Sequence, residues 1–413
     1  MNTLFEQLLQ TPVVYVTRDI ERALGLPADT SGYRIIANST PFAKALAQTR
    51  SDIFLIKEEQ LLDTWDLLQH EAVISYINTL STARVLVFKN TKQIEQTCRD
   101  NGWMLLNPPA AISDVVEPKI SQVSWLDELA RYLPPRRVCV CKEVFWDGTP
   151  FILQFNRSHT GSGTMLIEHE EQLRDIQHTF PDRPVRVSEY VHGPLITNNT
   201  CVTNEAILIG NISYQITGLM PFTDRPFATI GNDWALPHQM LDETQQTQYE
   251  EIATAVGEKL RDAGWKGLFG IDVVMDEQTK KLYLLEINCR QPASTTFESM
   301  LQLSKRNNEQ CTIFEAHVAA LLGIPLRSSL IRIDDGAQVI LRNKENDVLK
   351  KHNEQLFDIE NKLTTQGFVV TRYPNTAPGS DLLRIQSEKG LMEAHGVFNT
   401  LGHRICDIID HAV

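Results

Sequence analysis

The stretch "YLLEINCRQPAS", residues 283–294, sets Glu286, Asn288 and Arg290 two apart behind an apolar run. Side chains alternate across a strand, so the carboxylate, the amide and the guanidinium share one face, with Ile287 and Cys289 on the other. Charge on the inner face of a strand is costly unless it is paired. The acid and the arginine want opposite partners, and a divalent metal held on a polyanion satisfies both. A second carboxylate stands at a suitable distance. "GLFGIDVVMD" precedes "KLYLLEINCR", and the four-residue turn "EQTK" at 277–280 folds the two into an antiparallel pair with Asp272 near Glu286. Facing carboxylates repel unless a cation lies between them. Magnesium takes one or two protein carboxylates plus phosphate oxygens, which suits Asp272 and Glu286 with Asn288 as a neutral ligand; Mn2+ is the alternative ion. Arg290 is then placed to meet a phosphoryl group whose charge builds in the transition state. A plainer reading puts both acids on a solvated sheet face beside lysines, and the flanking "IDVVM" and "YLLEI" argue against it.

Two other stretches bear on phosphate chemistry. In "SHTGSGT", 158–164, Gly161 and Gly163 free the backbone to turn N–H groups toward a ligand, and Ser162 and Thr164 add hydroxyl donors. No Gly-Lys-Ser/Thr follows, so this is not a Walker loop, and a plain turn stays open as an alternative. "VSEYVHG", 187–193, reads in isolation as one strand ending in a turn. "CVC" at 139–141 has no second Cys or His pair at ligand spacing and reads as two small buried hydrophobes. Arg225 and Arg290 could hold a substrate carboxylate, and Asp224 or Asp233 an ammonium. Ordinary loop salt bridges explain the loop residues equally well.

Positioning such residues takes a scaffold. Residues 1–118 alternate strand-like runs ("PVVYV", "DIFLI", "AVISYI", "ARVLVF") with helix-like stretches, which predicts a small α/β domain with a largely parallel sheet. "NPPAAISDVVEPK" reads as a proline-marked linker. Next, "RVCVCKEVF", the Asp-Gly turn and "FILQF" predict a hairpin. Residues 242–263 form an amphipathic helix with Asp242 as cap and Gly264 as stop. The last eighty or so residues predict a small α+β appendage, with a closing helix over "LMEAHGVFNTLGHRICDIID".

Bulk properties narrow the function. The 413 residues suffice for two or three domains, and 42% hydrophobic with 22% charged residues is ordinary for a globular protein. A net charge of −13 argues against non-specific nucleic-acid binding. No apolar run is long enough to cross a bilayer, and the N-terminus lacks a signal-peptide pattern. Seven scattered cysteines fit a reducing cytoplasm better than a disulfide framework.

Taken in order, the pieces over roughly residues 105 to 300 resemble the ATP-grasp superfamily. The resemblance implies an N-terminal α/β domain (1–118), two subdomains that clamp ATP (119–190 and 191–330) and a C-terminal α+β domain (331–413). It makes Lys119 the first phosphate-binding lysine and "SHTGSGT" the flexible loop over the triphosphate. It makes Glu189 and Val191 hinge residues that read the adenine. Asp272, Glu286 and Asn288 become magnesium ligands, and Arg290 the phosphoryl-stabilising arginine. The second lysine usual before the glycine loop is replaced by Gln154, and Lys142, on the strand expected to pair with "FILQF", is the candidate to compensate. No ribose-binding acid is evident in "GPLITNN". The implied activity is ADP-forming ligation of a carboxylic acid to an amine, an amino acid or peptide among the substrates, and a homodimer is compatible with it. A carboxylase working through carboxyphosphate and a nucleotide-binding regulator without turnover are the alternatives.

Overall fold

The computed structural model describes residues 2–156, 163–306, 310–326, 328–344, 353–375 and 377–411. Three sheets follow one another along the chain. The first is parallel throughout, in the order β3-β2-β1-β4-β5, from β1 (Val13–Val16), β2 (Tyr33–Asn38), β3 (Ile53–Ile56), β4 (Arg84–Val87) and β5 (Met104–Leu105). Both faces of β1 are buried, as the unbroken apolar "VVYV" requires. The strand expected at "AVISYI" is instead part of the helix Glu71–Thr79, because Val73 and Ile77, four apart, are its buried positions. The supposed linker at 107–119 carries the helix Ala110–Val116.

The second sheet runs β6-β9-β7-β8, from β6 (Arg136–Val140), β7 (Phe151–Phe155), β8 (Thr164–Ile167) and β9 (Pro184–Glu189). This corrects the expected hairpin between "RVCVC" and "FILQF". A 3-10 turn at Cys141–Glu143 ends β6, and β9 then pairs with both strands and separates them. The Asp-Gly turn joins neighbours in sequence that are not neighbours in the sheet.

The third sheet has nine strands. It begins with β10 (Leu195–Val202), β11 (Ile207–Ile209), β12 (Ser213–Thr217) and β13 (Thr229–Asp233), then takes the hairpin of β14 (Gly267–Met275) and β15 (Leu282–Asn288). Beyond residue 330 the same sheet continues through β16 (Ala337–Arg342), β17 (Val369–Arg372) and β18 (Asp381–Ser387), since β13 pairs directly with β16. The segment expected as a separate appendage therefore shares a sheet with the hairpin. Its closing helix is shorter than expected, Thr400–Asp410, because β19 (Met392–Ala394) and β20 (Val397–Phe398) form a small hairpin before it.

Two helices hold this sheet. Glu243–Asp262 is capped by Asp242, whose carboxylate accepts from Gln245 N at 2.8 Å. It buries Tyr249, Ile252, Ala253, Val256 and Leu260 against β10, β14 and β15, at about 1.5–3 kcal/mol for each large side chain. Ile313–Leu322 is buried from Ile313 to Ala320. One side, with Phe314 and Val318, completes the core of the first sheet, and the other, with Ile313 and Ala316, packs against Cys201 and Leu268. The first and third sheets are thus joined by a shared apolar helix.

Candidate active site

The β14–β15 hairpin builds the acidic centre. Val273 pairs with Leu284 in the register the turn sets, and a one-residue shift then brings Asp272 opposite Glu286, the near neighbour the turn length predicts. Leu285 is therefore the extra residue of a bulge, which turns its carbonyl out of the ladder. Asn288 Nδ2 donates to Asp272 at 3.2 Å, and Arg290 donates to Asn288 Oδ1 at 2.9 Å. Lys119 Nζ meets Glu286 Oε2 at 2.8 Å. The lysine is held by the end of β7: its backbone N–H donates to Asn156 O, and Asn156 Oδ1 accepts from Ile120 N at 2.9 Å. Asp272, Asn288 and Arg290 thus form one set of polar contacts and Glu286 with Lys119 another, and the two sets face each other where Asp272 pairs with Glu286.

Electrostatics separates the two carboxylates. Burial, and then the neighbouring Glu286, pushes the Asp272 carboxyl up to about 6. Burial works against the Glu286 charge as well, yet Lys119, then Arg290 and Arg186, hold its carboxyl below the usual range. Among the described residues no three His, Cys, Asp or Glu side chains gather as a metal cage. Two facing carboxylates fit a hard cation that keeps other ligands, such as phosphate oxygens, whereas the Asn288 oxygen is turned to Arg290.

Beside this centre lies a cavity of about 350 Å3 between the second and third sheets. Residues 188–193, which include Glu189 and Val191, form one side of it, and Gln154 and Thr164 another. Gly193 lets the chain pass tightly: with φ at 153°, an added Cβ would lie 1.9 Å from Met275 O. Glu277 N donates to His192 O and Met275 N to Pro194 O, each at 3.0 Å, which pins residues 189–193 to the hairpin. Gly163 accepts from Phe155 N and Thr164 opens β8, whereas Gly161 and Ser162 lie outside the described residues.

Several expectations change here. Lys142 does not reach the cavity: on the 3-10 turn after β6 it pairs with Asp182 at 2.7 Å at the exposed edge. Asp233 holds no ammonium, because its buried carboxylate accepts from four backbone N–H groups, those of Ala235, Leu236, Leu391 and Met392. Two residues absent from the sequence reading line the cavity. Arg186, on β9 opposite Gln154, is 4% exposed. His395, in the β19–β20 turn, accepts from or donates to Tyr214 Oη through Nδ1 at 2.9 Å. An arginine inside the strand-like "VRVSEYV" marks a charge on a strand but not its partner, and the His395 contact, 181 residues from Tyr214, leaves no signal at all.

Residues 116–294 match the family model for an ATP-grasp domain. This stretch is an ATP-grasp domain. The fold of several solved structures extends over nearly the whole chain. N5-carboxyaminoimidazole synthetase from Staphylococcus aureus aligns at 12% identity and a TM-score of 0.65, covering 97% of each chain. N5-carboxyaminoimidazole synthase from Aspergillus clavatus, solved with ADP and 5-aminoimidazole ribonucleotide, aligns at 13% identity and a TM-score of 0.63 over 97% of this chain and 99% of that one. The biotin carboxylase domain of Hydrogenobacter thermophilus 2-oxoglutarate carboxylase, solved as a dimer with MgADP and bicarbonate, aligns at 12% identity and 0.61 over 92% and 86%. No curated protein sequence matches the chain. Within the ATP-grasp domain, Lys119 precedes the second sheet, residues 189–193 connect the second and third sheets, and the acidic hairpin belongs to the third. No helix among the described residues is long and apolar enough to cross a membrane.

Proposed function

We propose that the protein is an ATP-dependent ligase that activates a carboxylic acid as an acyl phosphate and joins it to an amine, releasing ADP and phosphate. The observation that carries this reading is the contact chain from Asp272 through Asn288 to Arg290, with Lys119 on Glu286, beside a nucleotide-sized cavity. Asp272 and Glu286 would hold magnesium, which offsets the phosphate charge when bound. Asn288 orients Arg290, whose remaining N–H groups would stabilise charge on a transferring phosphoryl group. A nucleotide phosphate would compete with Glu286 for Lys119, so the ion pair opens as substrate enters.

The first sheet offers a site for the acid and the amine. Its strand order reverses between β1 and β4, and ligands of open parallel sheets bind outside the strand ends at such a point. There Tyr15 Oη donates to Gln291 Oε1 at 2.9 Å, and Arg22 and Arg290 both lie over the Phe88 ring. Two guanidiniums beside one aromatic ring suit a carboxylate substrate.

Hydroxylamine supplied with the true acid and ATP should yield a hydroxamate and ADP in the absence of any amine. AMP and pyrophosphate as products would overturn the reading in favour of adenylation. A second reading, carboxylation through carboxyphosphate, is favoured by one observation: the carboxyaminoimidazole synthetases and a biotin carboxylase domain align over nearly the whole chain. Bicarbonate-dependent ADP formation without another acid would select it.

A further inference from the structure

Gln154 stands where the resemblance places a cationic lysine, and the charge has not left the cavity. In the β7–β9 ladder Gln154 pairs with Arg186. Arg186 Nε donates to Gln154 Oε1 at 2.8 Å, and Gln154 Nε2 donates onward to Thr164 Oγ1 at 3.0 Å. The remaining guanidinium contacts are long and neutral: Nη1 to Gln122 Oε1 and Nη2 to Leu285 O, the bulge carbonyl, each at 3.4 Å. Among the described residues no carboxylate lies within ion-pair distance of Arg186. Glu286, the acid whose charge acts on Arg186, is already engaged by Lys119. An arginine only 4% exposed, whose hydrogen-bond partners are all neutral, carries a desolvation cost that an anion would offset.

Its location says which anion. Arg186 lines the same cavity as residues 188–193 and Thr164, and through Leu285 it touches the strand position next to Glu286. A nucleotide with its base against residues 189–193 and its terminal phosphates at Lys119 must run its phosphate chain past this guanidinium. The geometry points to Arg186 as the cation that binds the nucleotide phosphates in place of the lysine missing at 154, with Gln154 as the residue that positions it. Gln154 spends its carbonyl on Arg186 and its amide on Thr164, so it orients the guanidinium and ties it to the β8 end of the glycine-rich stretch. The charge has crossed one rung of the sheet, from β7 to β9.

This rests on the ATP-dependent reading, and the experiment separates the two. Binding of MgADP and of adenosine is measured by calorimetry for the wild-type chain and three variants. Arg186→Met is expected to weaken MgADP binding roughly 10- to 100-fold, the loss of charged hydrogen bonds, while adenosine affinity stays unchanged. The exchange Gln154→Lys with Arg186→Gln restores the cation to β7 and should recover MgADP affinity to within about threefold of wild type. Gln154→Ala should lose MgADP affinity by a smaller factor than Arg186→Met, because the charge stays but is less well held. Unchanged MgADP affinity in Arg186→Met, or an equal loss for adenosine, overturns the assignment, since either marks a structural role. If Arg186→Met does not fold, failure of the exchange variant to bind MgADP while still binding adenosine overturns it. A wild-type chain that binds neither nucleotide refutes the ATP-dependent reading itself.

Discussion

Glu286 meets Lys119 at 2.8 Å and faces Asp272 across the ladder, so it is attracted from one side and repelled from the other. Removing its charge acts on both. Glu286→Gln loses an ion pair whose carboxylate side chain is 38% exposed, which screening makes weak, and relieves a repulsion of similar size. The melting temperature should therefore move by no more than about 2–4 °C, equivalent to roughly 1 kcal/mol or less. ATP turnover should disappear, because Asp272 alone would hold the metal weakly and leave the phosphate charge poorly offset. A differential scanning trace alongside an ADP-release assay checks both, and retained turnover would remove Glu286 from the chemistry. Turn length makes this acid pair legible to within one residue, and the bulge at Leu285, which the sequence does not show, brings the two carboxylates opposite each other. Arg186 was not singled out, because one arginine in one strand gives no clue to its partner until β9 is known to lie between β6 and β7.

The helix Ile313–Leu322 carries a titratable group in its buried run. His317 is 3% exposed, and its Nδ1 accepts from Leu268 N at 3.1 Å at the start of β14. Burial pushes its pKa down to about 3. A group depressed in the folded chain contributes stability that is fully present above its unfolded value near 6.5 and is lost as pH falls toward the folded value. Unfolding free energy should thus decline between about pH 6.5 and pH 4, at up to about 1.4 kcal/mol per pH unit from this one group. Protonation also ends the bond from Leu268 N. Urea melts across that range should show His317→Gln with a shallower slope than wild type. Equal slopes would mean that His317 titrates normally. At this scale the parallel sheet, the capped helix 243–262 and the acidic hairpin were readable from periodicity and turn residues. The helix at "AVISYI" was misread because a short apolar run fits either period, and the β6–β9 pairing because strand order is a tertiary property. The β19–β20 hairpin was hidden by flanking residues that continue a helical pattern.

Across the whole molecule, the first sheet and the end of the third are fastened by groups far apart in sequence. Tyr373 Oη donates to Glu21 Oε1 at 2.7 Å, across 352 positions of chain, and Arg384 Nη2 lies 3.8 Å from the same oxygen. Arg384 is 1% exposed on β18 and Glu21 is 8% exposed in the 3-10 turn after β1. Burial alone would lower the Arg384 pKa, but Tyr373, Glu21 and Asp381 raise it above the ordinary value. The guanidinium therefore stays charged at any working pH, and its anion cannot be removed cheaply. Glu21→Ala should destabilise the chain by about 3–5 kcal/mol, since it leaves a buried cation unpaired. Replacing both partners by apolar groups of similar volume, Glu21→Leu with Arg384→Met, should recover most of that loss. Because the fastening joins the face where acid and amine would bind to the sheet that carries Asp272 and Glu286, its loss should also separate their motions. Glu21→Ala is expected to broaden or split the thermal transition, and the double variant to restore one transition. A Glu21→Ala chain that melts in a single transition within about 1 kcal/mol of wild type would show that the apolar core around Phe314, and not this ion pair, joins the two sheets.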